Sequence, residues 1–122
     1  MAKLSAEAIK ITGEVRPSLV ATANKDGKPN VSAKGSLRVG DDETVVFADV
    51  GSPRTIANIR ENPQVSIICL DAAQRRSCRI WGTAEVMDSG TLFEGIAKEF
   101  AARNVDVKNV VRVAVAKVEV SP

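Results

Sequence analysis

The sequence predicts a mainly β (β + α) fold, a six-stranded antiparallel barrel with peripheral helices. Three observations carry this expectation: six segments read as strands, three as helices, and most strands are joined by short turns. A majority of strands without regular β-α alternation argues against a doubly wound sheet, and closing a barrel removes the edges an open sheet would expose. No repeat, low-complexity tract or linker interrupts the 122 residues, so residues 1–122 are expected to form one domain.

Taken in order, Leu4, Ala8, Ile9 and Ile11 stand among Lys and Glu at helical spacing and predict a short helix before Gly13, with Pro17 ending helical structure. Ser18 to Ala23 alternates as a strand. Asn24-Lys25-Asp26-Gly27-Lys28 carries an Asp-Gly turn signal, and extended structure from Asn30 to Val39 completes a hairpin. A second turn at Gly40-Asp41-Asp42-Glu43 leads into the β-branched strand Thr44 to Val50. Ser52 as N-cap and Pro53 at the first helical position start a helix of about two turns that carries Ile56, Ala57 and Ile59 and stops at Asn62-Pro63. Val65 to Leu70 reads as a buried strand and Cys78 to Val86 as an alternating one, facing each other across the loop Ala72 to Arg76. If that loop has five residues, Cys69 and Cys78 fall on opposite faces, whereas four or six would bring the thiols together. Leu92, Phe93, Ile96, Ala97 and Phe100 form one apolar stripe within a helix from Thr91 to Arg103, and Val110 to Val120 is the last strand.

Composition narrows the chemistry. There are 17 basic and 15 acidic side chains, two Cys, and no His or Tyr. The missing His excludes Ser-His-Asp and Cys-His catalysis and His-ligated zinc or haem within the chain. Demanding chemistry is then expected to arrive with a cofactor, and no residue is assigned as catalytic or as a metal ligand. A formal charge of +2 is too small to predict nucleic acid or a membrane surface as partner, and Arg75, Arg76 and Arg79 read as a solvated loop and strand edge. No apolar stretch approaches the roughly 20 residues of a membrane span, and the first residues show no signal-peptide core. The expectation is a soluble cytoplasmic protein with two free thiols.

Two polar clusters stand in places where strands and turns would not need them. Asn30, Ser32, Lys34 and Ser36 alternate onto one strand face, which either meets water or offers hydroxyls, an amide and a cation to a phosphate-bearing ligand. Gly51-Ser52-Pro53-Arg54-Thr55 is a strand-to-helix turn, where free backbone N–H groups and the helix dipole favour an anion. Arg54 in the first helical turn opposes the dipole as a structural choice and suits an anion ligand.

The ordered series Asp26-Gly27-Lys28-Pro29-Asn30-Val31-Ser32, Leu37-Arg38-Val39, Val45-Val46-Phe47-Ala48, Arg54-Thr55-Ile56-Ala57-Asn58-Ile59-Arg60-Glu61-Asn62-Pro63-Gln64-Val65 and Arg79-Ile80-Trp81-Gly82-Thr83-Ala84-Glu85-Val86 resembles the pyridoxamine 5′-phosphate oxidase-like family of FMN-binding split barrels. The match covers roughly residues 15–90 and looks closest to the small single-domain flavin-nucleotide-binding members. It implies a split β-barrel that pairs into a homodimer with FMN sites at the subunit interface. Carried over by position, the resemblance implies that Arg54, Thr55, Ser32 and Lys34 hold the FMN phosphate. It also places Ser32, Ala33 and Lys34 along the isoalloxazine edge and Val50, Gly51 and Ser52 along the ribityl chain. Asn58 is expected to order the helix. Trp81 either stacks on a flavin or belongs to core or interface, and in the implied dimer Trp81 and Ile80 would approach the partner's flavin. The implied activity is flavin redox chemistry with a small-molecule electron donor or acceptor. A non-enzymatic flavin carrier, a deazaflavin- or haem-binding relative, and an interaction barrel without ligand are the alternatives.

Overall fold

Seven strands, rather than six, form the sheet in the computed structural model, which describes residues 2–122. The extra strand comes from the predicted Asn30–Val39 segment, which is two: β2 (Pro29–Lys34) and β3 (Arg38–Asp41). Gly35 and Ser36 form a turn between them and Leu37 plunges into the core, so the alternation that suggested one strand is broken in the middle. The remaining elements are α1 (Ala6–Glu14), β1 (Ser18–Ala23), β4 (Thr44–Asp49), α2 (Pro53–Glu61), β5 (Gln64–Asp71), β6 (Arg76–Met87), α3 (Thr91–Ala101) and β7 (Asn109–Ser121). The three helices and all other strands fall where the sequence places them, with ends shifted by one or two residues.

The strand order is β2-β1-β5-β6-β7-β4-β3, antiparallel throughout. The two outermost strands, β2 and β3, are consecutive in the chain. A connection of three residues spans at most about 14 Å, at about 3.5 Å per step, so the sheet must curl until its two edges meet. The result is a barrel left split between β2 and β3.

The interior is filled by Val20, Leu37, Val45, Phe47, Ile67, Ile80, Val111, Val113 and Val115, and one end is covered by Leu4 ahead of α1 and by Ala8 and Ile11 on it. β4 is buried on both faces, because Val46 and Ala48 pack outward against Ile96 of α3 together with Val107 and Val110. β7 changes phase part way along. Trp81 pairs with Lys117 but Gly82 pairs with Val115, leaving Ala116 bulged, so the inward positions switch from Val111, Val113 and Val115 to Val118 and Val120.

The β5–β6 turn resolves the cysteine alternatives. Asp71 pairs with Arg76, so the loop has four residues and Cys69 faces Cys78 directly. Both are buried free thiols, with Ser18 Oγ 3.3 Å from Cys69 Sγ and Thr12 Oγ1 donating to Cys78 Sγ at 3.9 Å. Burial pushes the Cys78 thiol up, the Thr12 hydrogen bond opposes this, and Cys69 adds to the rise. Such thiols behave as small hydrophobes. Among the described residues, no helix is long and apolar enough to cross a membrane.

Candidate functional site

The split in the barrel opens into a cavity of about 750 Å³. Ala33 and Lys34 at the end of β2, Val50, Gly51 and Ser52 after β4, and Phe100 on α3 form its walls. Five of the sequence-predicted residues therefore come together here.

Lys34 dominates the electrostatics. It is only 6% exposed, its Nζ donates to Ser52 Oγ, and the ammonium lies 5.7 Å from the Phe47 ring centroid. Burial holds its pKa below the ordinary lysine value, and the nearby Asp49 carboxylate works against that shift. Lys34 forms no ion pair among the described residues. A buried ammonium with no carboxylate in contact is costly, and an incoming anion would relieve that cost.

The start of α2 adjoins the cavity through Ser52, whereas the predicted residues Ser32, Arg54 and Thr55 are not among those that line it. Ser52 holds the N-cap position, yet its side chain makes no capping hydrogen bond, because Oγ is taken by Lys34. The first-turn N–H groups thus keep their capacity to bind an anion. Thr55 is 1% exposed and shares a 3.0 Å hydroxyl hydrogen bond with Ser32, locking α2 to β2. Asn58 Nδ2 donates to Thr22 Oγ1 at 3.0 Å and ties the same helix to β1, the ordering role expected of it. Arg54 is exposed in the first turn and forms no ion pair among the described residues.

The polar row on β2 does not face water. Ser32 and Lys34 lie against α2 and the loop before it, while Val31 and Ala33 take the outer face. Ser36 has already left the strand. Its Oγ accepts from the Ala48 N–H at 2.9 Å and donates to the Ala48 carbonyl at 3.3 Å, continuing by side chain the pairing that β3 makes with β4.

Trp81 lies elsewhere. It stands half-buried on the outer face of the sheet, in a row Val31–Ala21–Ser66–Trp81–Lys117, with the Lys117 ammonium 5.1 Å from its ring. Ile80, expected beside it at a partner's flavin, points into the barrel core and is fully buried, since successive strand residues alternate between faces. Only Trp81 of that pair faces outward.

Sequence reasoning missed several residues at the cavity. Arg16, Arg38, Glu99 and Arg103 also line it, with Arg38 and Glu99 paired at 2.9 Å and Arg103 stacked 4.5 Å from the Phe100 ring. Arg103 had a readable signal, as a cation directly after the apolar stripe of α3; Arg16 had none. Asp49 was also legible, as a lone carboxylate closing an apolar β-branched run. It is 3% exposed, and it accepts the Ser52 N–H and Asn109 Nδ2, each at 2.8 Å.

Comparison with known proteins agrees with this fold. An uncharacterised protein of Methanocaldococcus jannaschii, MJ0282, is 37% identical over 102 residues, covering 75% of this chain and 65% of that protein, so the chain spans just under two thirds of its relative's length. Among solved structures, a HupZ variant from Group A Streptococcus superposes with TM-score 0.88 at 27% identity, covering 97% of this chain and 99% of the other. A pyridoxamine 5′-phosphate oxidase homologue from Lactobacillus delbrueckii gives TM-score 0.77 at 25% identity, with coverages of 96% and 93%. More distant neighbours at 19–20% identity share the fold and include an FMN-binding protein, an F420 reductase and a haem storage protein. The family model described as pyridoxamine 5′-phosphate oxidase matches residues 5–121, and the chain belongs to that family.

Proposed function

We propose that the protein binds FMN non-covalently in the cavity at the barrel split and acts in flavin redox chemistry, as a homodimer with its cofactor sites at the subunit interface. The observation that carries this reading is Lys34, a buried ammonium that forms no ion pair among the described residues and is held by Ser52, whose side chain makes no capping bond at the start of α2. A phosphate dianion suits a cation, hydroxyls and a helix N-terminus brought together. A cavity of about 750 Å³ also falls in the range of small-molecule sites.

In this reading Lys34, Arg54, Ser32 and Thr55 hold the phosphate, Val50 to Ser52 follow the ribityl chain, and Ala33 borders the ring. The flavin, when bound, supplies the electron or hydride exchange with a small-molecule partner. The chain's part is to place the cofactor and exclude water from it. The buried, unbridged Cys69 and Cys78 fit a reducing, cytoplasmic setting. A deazaflavin phosphate would use the same cradle, whereas haem would find no His to ligate it.

The absorbance spectrum of the protein as purified tests the reading. A yellow protein that releases FMN on denaturation supports it, and a colourless protein that takes up no added FMN overturns it. Bleaching by NADH or NADPH followed by turnover with an acceptor marks an enzyme; a bound flavin that does neither marks a carrier.

A further inference from the structure

We infer that Asp49, anchored by Asn109, is a positioning residue for the anion cradle, fixing Ser52 and through it the Lys34 ammonium before any ligand arrives. The inference rests on the reading of this cavity as a phosphate-binding site. Asp49 closes β4 at the point where the chain leaves the sheet for α2. Its Oδ1 accepts the Ser52 N–H and its Oδ2 accepts Asn109 Nδ2, both at 2.8 Å, while its carbonyl accepts the Lys108 N–H at 2.9 Å. β7 thus grips Asp49 by backbone and side chain, and Asp49 in turn grips the loop that presents Ser52 to Lys34.

The two side-chain hydrogen bonds do not require a charge. An Asn at this position would accept from Ser52 and exchange roles with Asn109, without the expense of burying a carboxylate. The charge acts on Lys34, and the cations Arg60 and Lys108 line a second hollow together with Asp49. The other charged groups lining the cavity are Arg16 before β1, Arg38 on β3, and Glu99 and Arg103 from α3 and just after it; Glu99 is already paired with Arg38. Asp49 is therefore the carboxylate left to balance Lys34, and its field opposes the lowering that burial imposes on the ammonium's pKa.

The test titrates FMN and, separately, inorganic phosphate into wild type, Asn109→Ala, Asp49→Ala and Asp49→Asn between pH 6 and 10, with melting temperatures in parallel. Asn109→Ala and Asp49→Ala are expected to weaken binding of both probes about tenfold at temperatures where the variants are fully folded, the scale of one lost charge-assisted hydrogen bond. Asp49→Asn is expected to bind within about threefold of wild type near neutrality, because it keeps the hydrogen bonds. Its alkaline loss of binding should begin about one pH unit lower, because Lys34 loses its counter-charge. If Asp49→Ala fails to fold, the other two variants decide. Unchanged affinity in Asn109→Ala, or an alkaline limb in Asp49→Asn that coincides with wild type, overturns the inference. Wild type that binds phosphate but not FMN overturns the FMN reading and leaves this one standing; binding of neither overturns both.

Discussion

Arg54 is the residue whose role separates most cleanly from stability. It is exposed, it sits where the helix dipole disfavours a cation, and it forms no ion pair among the described residues. Arg54→Ala should therefore leave the melting temperature of the ligand-free protein within about 2 °C, since surface changes of this kind stay within about 0.5 kcal/mol. FMN affinity should fall at least about tenfold. Fluorescence titration checks this, and equal affinity would remove Arg54 from the phosphate site. Ser32, Lys34, Ser52 and Thr55 were legible at the same scale because polar residues at period two on a strand, or at a helix start, need a partner. Asp49's partner was not legible, because Asn109 lies 60 residues away and the contact exists only through β4–β7 pairing. The cysteine pairing was likewise hidden behind the parity of one loop, which sequence leaves open by a single residue.

Among the elements, hairpins and helices with local signals were readable and long-range register was not. β1 matches its predicted span, Ser18–Ala23, because alternation and the Asp-Gly turn, with Gly27 at φ 82°, agree. The Asn30–Val39 segment misled because both halves are extended, and only the topology places them on opposite edges of the sheet. The bulge at Ala116 was also invisible, although it decides which β7 residues face the core. Gly82 lies beside that bulge and tests the packing there. A Cβ on Gly82 would stand 2.3 Å from the Ala114 carbonyl oxygen and 2.7 Å from Val113 Cγ1, and the first of these is backbone that cannot rotate away. Gly82→Ala should cost about 3 kcal/mol through strand displacement and lower the melting temperature by roughly 10 °C. A variant melting with wild type would show that β6 and β7 approach less closely than this.

For the whole molecule, the outer face of β2, β1, β5 and β6 is the feature that a single chain leaves unexplained. Val31 is 64% exposed and Leu70 58%, and Leu19, Ala21, Ala33, Ile68 and Trp81 lie on the same face. Apolar side chains gathered on one sheet face mark an interaction surface more than scattered ones do. Ala33 belongs to this face and also lines the cavity, so whatever covers the face borders the cavity. In the proposed homodimer a second copy of the chain would provide an isologous cover, with Trp81 of each subunit reaching toward the other. Sedimentation equilibrium at micromolar concentration should then give twice the 13.0 kDa of one chain. Val31→Asp places a charge in the middle of the patch without touching Lys34, Ser52 or Arg54, and it should yield the single-chain mass. If the sites are completed at the interface, the same variant should lose most of its FMN on dilution although every phosphate-binding residue is intact. A monomeric wild type, or a Val31→Asp variant that stays dimeric, would move the interface elsewhere. Dissociation with FMN affinity retained would mean that one chain builds the whole site, with Trp81 serving the interface alone.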